Sequence, residues 1–120
     1  MYILYGGRFT RATLVEMVML EGDTPYELRE VDIVNWMPAL ITPDGQALYE
    51  TAALNLYLTE QHGLTHLAPS IDEPERGLFL SRLFSVHDDL EPIMKLYFYP
   101  HRSVLDEKDT LTIKQLAFES

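Results

Sequence analysis

The stretch Met37-Pro38-Ala39-Leu40-Ile41-Thr42-Pro43-Asp44-Gly45-Gln46-Ala47-Leu48-Tyr49-Glu50-Thr51-Ala52-Ala53-Leu54 holds most of what decides the fold. Two short apolar runs, at 39–41 and 47–49, flank a segment in which Pro43 and Asp44-Gly45 supply turn chemistry, so the runs are predicted to pair as a β-hairpin. A helix is predicted at once behind it, over 51–61. There Ala53, Leu56 and Tyr57 form one stripe, Leu54 and Leu58 the adjoining one, and Gly63 stands just past the end. Such a helix has one apolar side to lay on a sheet.

Towards the N-terminus, residues 2–5 are short, β-branched and aromatic and end at Gly6-Gly7, which reads as a strand entering a flexible turn. Ala12, Val15 and Met19 then share a face at helical spacing, with Leu14 and Val18 beside them, until Gly22-Asp23 and Pro25 stop the pattern. Residues 26–33 alternate apolar and polar, with a break at Arg29-Glu30. Strand, helix, strand is a right-handed crossover and makes the two strands parallel. The unit therefore reads strand, helix, strand, hairpin, helix.

Towards the C-terminus, residues 64–71 form a connector. Asp72 is predicted to cap a long helix, with Pro74 in its first turn and Glu75 closing a capping box. Leu80, Leu83, Phe84, His87, Leu90 and Met94 keep helical spacing to about Tyr97, and Pro92 inside that run is expected to kink the helix or end it early. Residues 100–105 break the pattern, and 109–119 resume it through Leu111, Ile113, Leu116 and Ala117. No partner helix is evident for this last segment, so its apolar face is expected to be exposed.

With 120 residues, 47% of them hydrophobic, the chain can build a core for one domain, or for one domain and part of another. Nineteen acidic against nine basic residues give a net charge of -10, which opposes attraction to a phosphate backbone and argues against nucleic acid as a partner. No apolar run approaches the ~20 residues of a membrane-spanning helix, and the N-terminus has no basic lead before a signal-type core, so a cytoplasmic, membrane-free chain is expected. Cysteine is absent. That excludes a disulfide framework, a zinc-thiolate site and a nucleophilic thiol, so any thiol chemistry must use sulfur from another molecule.

Three segments in this order resemble the glutathione transferase superfamily: Leu4-Tyr5 before a turn and a helix, Met37-Pro38-Ala39-Leu40, and Tyr49-Glu50-Thr51-Ala52-Ala53-Leu54 with Tyr57-Leu58 behind it. Leu67-Ala68-Pro69 before the long helix resembles that family's linker. The resemblance implies an α/β thioredoxin-like glutathione-binding domain over residues 1–66 and the beginning of an all-α domain over 67–120. It also implies a glutathione co-substrate, a hydrophobic electrophile and a homodimer engaged in detoxification.

The same resemblance proposes the site. Pro38 is implied to be a cis-proline that turns the Met37 main chain towards the cysteinyl part of glutathione; an ordinary proline at a strand edge is the alternative. Glu50 and Thr51, at a helix N-terminus where free N–H groups and the macrodipole favour an anion, are implied to hold the γ-glutamyl carboxylate. Alternatively, Thr51 caps its own helix. Thr10, flanked by Arg8 and Arg11, is the hydroxyl nearest the position of the family's catalytic Tyr, Ser or Cys, or else it caps the helix that follows. Tyr5 is expected in the core.

One departure concerns the connection to Pro38. The family places a helix and a loop between the second strand and its proline, whereas only Val34 to Met37 separate Ile33 from Pro38 here. Four extended residues reach about 13 Å against roughly 10 Å to be crossed, so the link would arch over the site. Either the variant has dispensed with that part of the site or a segment has been left out of the sequence; the latter is the expectation.

Other constellations carry less. His62 and His66 are four apart but separated by Gly63, and no third ligand suggests a metal. Asp88, Asp89 and Glu91 read as a solvated helix face. Met94, Tyr97 and Tyr99 fit either the family's hydrophobic substrate pocket or core packing. The leading function is attack of a bound glutathione thiolate on an electrophile or peroxide. A non-catalytic binding module of the same fold is the alternative, and a dithiol oxidoreductase is excluded by the missing cysteines.

Overall fold

In the computed structural model, which describes residues 1–7, 10–31 and 38–120, strand β1 (Tyr2–Gly6) is the spine of the first unit. Its neighbours are β2 (Tyr26–Glu30) and β3 (Ala39–Ile41), and β4 (Ala47–Tyr49) completes a sheet of order β2-β1-β3-β4. β1 and β2 run parallel, as the crossover through α1 (Ala12–Glu21) requires, and β3 and β4 form the antiparallel hairpin. Gly45 at φ +89° supplies the left-handed residue of that turn, and the Thr42 hydroxyl accepts the Gln46 N–H at 3.0 Å within it.

Register decides which side is core. Leu4 pairs with Leu28 and Leu40, and Leu40 with Leu48, so these side chains share one face. On that face Leu4 and Leu40 meet Val15 and Met19 of α1 and Leu54 and Leu58 of α2 (Thr51–Gln61), all of them sealed from solvent. Each such side chain contributes about 1.5–3 kcal/mol relative to exposure, so this cluster is the main source of the unit's stability. The predicted face of α1, Ala12, Val15 and Met19, is the buried one. On the opposite face of the sheet Ile3, Tyr5, Ala39 and Ile41 are only half-buried.

Two compact units are distinguished, Met1–Phe79 and Leu80–Ser120. Helix α3 (Arg76–Ser85) continues through a π-helical turn, Val86–Leu90, into α4 (Glu91–Phe98), and two 3-10 turns lead to α5 (Thr110–Glu119).

Three sequence expectations need correction here, and a fourth falls partly outside the described residues. The helix expected from Asp72 starts at Arg76: Glu73 N–H bonds to Ser70 O and Arg76 N–H to Glu73 O in successive turns, and the first α-type bond runs from Phe79 N–H to Glu75 O. Pro74 disfavours helical geometry in the residue before it, which delays the start. Pro92 does not end the helix. It sits in the first turn of α4, and the chain accommodates its missing N–H with the π-helical turn immediately upstream. The last segment does have a partner: Ala117 of α5 is buried, Lys114 Nζ lies 4.7 Å over the Tyr97 ring of α4, and Phe118 and Tyr97 are 6.4 Å apart. The expected exposure holds for Leu111 at 77%, Leu116 at 56% and Phe118 at 79%, whereas Ile113 is half-buried. Finally, β2 closes at Glu30, although the Val31 N–H still reaches Gly6 O at 3.2 Å; Asp32 and Ile33, where the strand was expected to end, lie outside the described residues.

Candidate functional site

The topology brings the described members of the predicted set, Thr10, Pro38, Glu50 and Thr51, to one end of the sheet. β1 and β2 point their carboxyl ends there, and Tyr5 pairs with Ala39, which in turn pairs with Tyr49. The turn after Gly6, Pro38 ahead of β3, and Glu50-Thr51 after β4 are therefore neighbours, at the edge where open α/β sheets bind ligands.

The turn after β1 is tightly built. A Cβ added to Gly6 would lie 2.2 Å from Ala12 Cβ, so only glycine lets the end of the strand approach the start of α1 this closely. Thr10 organises the same turn: its hydroxyl donates to Gly7 O at 2.7 Å and lies 3.2 Å from Gly7 N and 3.3 Å from Ala12 N, both of which donate to it. Thr10 is not the N-cap of α1, which is Arg11, but its hydroxyl ties the turn to the first residue of that helix, and its one proton is committed to the main chain. Serving a thiolate would require it to release Gly7 O. Arg11 follows directly at the start of α1, and Arg8 lies outside the described residues.

Pro38 is buried at the entry to β3, and Met37 lies outside the described residues. Beyond the hairpin, Glu50 adopts φ +70° and ψ +116° at the N-cap of α2, a region that costs a residue with a side chain of order 1–3 kcal/mol. Its carbonyl accepts the first helical bond, from Leu54 N at 2.9 Å. The Thr51 hydroxyl does not cap α2. The residue is 2% exposed, and its Oγ1 is one of two buried side-chain atoms without a hydrogen-bond partner among the described residues, the other being Asn55 Oδ1. Leaving such an atom unpaired costs about 1–3 kcal/mol, so this helix end carries both backbone strain and unmet polarity.

Tyr5 is not a core residue. It projects from the half-buried face of the sheet, and its hydroxyl accepts from Arg29 Nη1 at 3.1 Å. Arg29 in turn pairs with Glu27 at 2.7 Å. That hydrogen bond, with the Arg29 charge, holds the Glu27 carboxyl below its usual range. The sequence reading missed the Tyr5–Arg29 pair because the break in alternation at Arg29-Glu30 hid the register that places Arg29 beside Tyr5. It also passed over Asn55, whose signal is a lone amide inside the otherwise apolar run 52–58.

The remaining candidates are spread elsewhere. His62 Nε2 is 2.9 Å from the Tyr2 hydroxyl, which burial pushes above its ordinary pKa, while His66 faces Glu21 at 3.4 Å. In the second unit His87 lies 3.5 Å from Glu91, and Asp89 accepts from Ser85 at 3.3 Å. Asp88 and Met94 are exposed. Tyr97 packs against Phe98 and Phe118, and Tyr99 carries the Arg102 guanidinium at 4.4 Å. Among the described residues no group of three or more His, Asp or Glu side chains could hold a metal ion, and no helix is long and apolar enough to cross a membrane. A separate cleft of about 350 Å3 opens between the end of α2, the connector and Arg76.

No protein-family model matches the chain, and neither does any curated protein. Solved structures do. A glutathione transferase homologue from Sulfitobacter with bound glutathione aligns at a TM-score of 0.83 and 20% identity, over 99% of this chain and 64% of its own. A sphingomonad glutathione S-transferase complexed with glutathione gives 0.77 at 18% identity, over 98% and 64%. A possible glutathione S-transferase from Rhodopseudomonas palustris gives 0.69 at 28% identity, over 98% and 66%. The chain therefore spans 64% of the length of the Sulfitobacter structure, and it matches these proteins from its first strand through its last helix. A mixed sheet of order β2-β1-β3-β4 with α1 and α2 on one face, followed by helices, is the arrangement they share with it, and the chain has the fold of the glutathione transferases.

Proposed function

We propose that the chain binds glutathione at the sheet end formed by Thr10, Met37, Pro38, Glu50 and Thr51, and that it belongs to an enzyme that turns the bound thiolate on a hydrophobic electrophile or a peroxide. The observation that carries the reading is the N-terminus of α2. A strained Glu50 and an unpartnered, buried Thr51 hydroxyl are costs that a fold retains where a ligand gains from them. Two similar structures were crystallised with glutathione, which supports that choice of ligand. In this reading the N–H groups of the first turn of α2 and the Thr51 hydroxyl accommodate the γ-glutamyl carboxylate, and the Met37 main chain pairs with the cysteinyl unit. A homodimer working in cytoplasmic detoxification completes the proposal.

The second reading, a module that binds glutathione without turnover, is favoured by one observation: the Thr10 proton is held by Gly7 O. Calorimetric titration with glutathione tests both. Saturable binding is expected, and no heat of binding would sink both readings. Turnover of aryl halides, epoxides or hydroperoxides by the binding-competent protein separates the first reading from the second.

A further inference from the structure

α2 is apolar from Ala52 to Leu58 except for Asn55, which stands one helical turn beyond Thr51. Residues at i and i+4 share a helix face with Cβ atoms about 5–6 Å apart, so the two side chains are neighbours. Both Thr51 Oγ1 and Asn55 Oδ1 are sealed from solvent and unpartnered, and no direct hydrogen bond joins them. These two atoms are the only side-chain polar atoms among the described residues in that condition. Their adjacency on the helix gives them a common explanation, because a single water can hydrogen-bond to two polar atoms that do not bond to one another.

We infer that Asn55 is a positioning residue for Thr51, acting through one shared buried water. Asn55 Oδ1 is an acceptor only, so it takes one proton of the water; the second goes to a lone pair of Thr51 Oγ1. Both donors of the water are then used, and the Thr51 hydroxyl proton is left to be donated towards the N-terminus of α2. Thr51 is thereby fixed as a donor, which selects a carboxylate over an ammonium group at that point. The ligand half of this inference rests on the glutathione reading above; the pairing of the two residues does not.

A double-mutant cycle with Thr51→Val, Asn55→Leu and the pair tests it on two readouts. In glutathione titrations each single variant is expected to bind about tenfold more weakly, and the pair no more weakly than Thr51→Val alone. Losses that multiply, or an Asn55→Leu variant with native affinity, overturn the positioning role, since a merely structural Asn55 would not depend on Thr51. In urea unfolding without glutathione, the shifts in midpoint are expected to be non-additive. Additive shifts overturn the pairing whether or not glutathione binds. If the native protein itself binds no glutathione, the ligand reading fails, and the unfolding cycle still decides the pairing.

Discussion

Thr10 and Thr51 are the same residue type at the entrances of two helices, and their surroundings give them opposite roles. Thr10 spends its hydroxyl on Gly7 and Ala12 and holds the β1–α1 turn, whereas Thr51 spends its hydroxyl on nothing among the described residues. Thr10→Ala should therefore cost about 1 kcal/mol in urea unfolding, with Thr10→Ser close to native. If Thr10 also acts on the thiolate, Thr10→Ala lowers turnover beyond what its lost stability explains. Tyr26 has a different signature, because its hydroxyl donates to Glu16 Oε2 at 2.6 Å. Burial first, then that carboxylate, push its pKa up to about 12 from 10.0. Below pH 10 both folded and unfolded chains keep the proton and the contribution is whole. Between 10 and 12 the unfolded chain loses it first, so stability falls as pH rises, and above 12 the contribution is gone. Unfolding midpoints across that range should fall less steeply for Tyr26→Phe than for the native chain.

At the scale of elements, Arg76 joins three segments of the chain. Its side chain is 13% exposed, and the guanidinium donates to Pro69 O at 2.8 Å, pairs with Glu60 at the end of α2, and lies 5.8 Å from the Phe79 ring. The connector 64–71 and the first turn of α3 are thereby tied to the first unit, which agrees with the division of contacts at Phe79. Arg76→Ala leaves the Pro69 carbonyl without its donor and should cost about 1–2 kcal/mol. Limited proteolysis should show faster cleavage within 64–75 while the far-ultraviolet circular dichroism stays native. Equal cleavage rates would show that the connector is held by its own turns. Pro92 works at the same scale: a single missing N–H converts one turn of helix to π geometry without stopping it.

Across the whole molecule, apolar surface is unevenly distributed. Both units expose large apolar side chains, Met17, Leu20 and Ile71 in the first and Phe98, Leu105, Leu111, Leu116 and Phe118 in the second. The first, however, seals Leu4, Val15, Met19, Leu40, Leu54 and Leu58, whereas the residues described as buried in the second are Ala117 and Pro100. Contiguous exposed apolar surface binds hydrophobic dyes and other proteins. The 120-residue chain should accordingly enhance anilinonaphthalene sulfonate fluorescence, and Leu111→Glu with Phe118→Lys should reduce that signal by more than half. A signal unchanged by the pair would place the dye on the first unit instead. The net charge of -10 works against self-association at neutral pH, so added salt, which screens it, should favour clustering.

Most of the first unit is legible in the sequence, because its signals are local. Glycine or proline stands after β1, after α1, before β2 and β3 and after α2, the hairpin turn is written in Pro43-Asp44-Gly45, and the buried positions of α1 follow helical spacing. The order and spacing of Leu4-Tyr5, Met37-Pro38 and Glu50-Thr51 were enough to indicate the fold family. What chain order could not decide was how a given side chain would use its polar atoms. Thr51 as an orphan and Tyr5 on the open face, with Arg29 of another strand on its hydroxyl, each depend on which atoms arrive from elsewhere in the chain. Hydrogen bonds are short and directional, so residue identity and periodicity place a hydroxyl on a face of an element, but only tertiary packing brings its partner within 3 Å or withholds it.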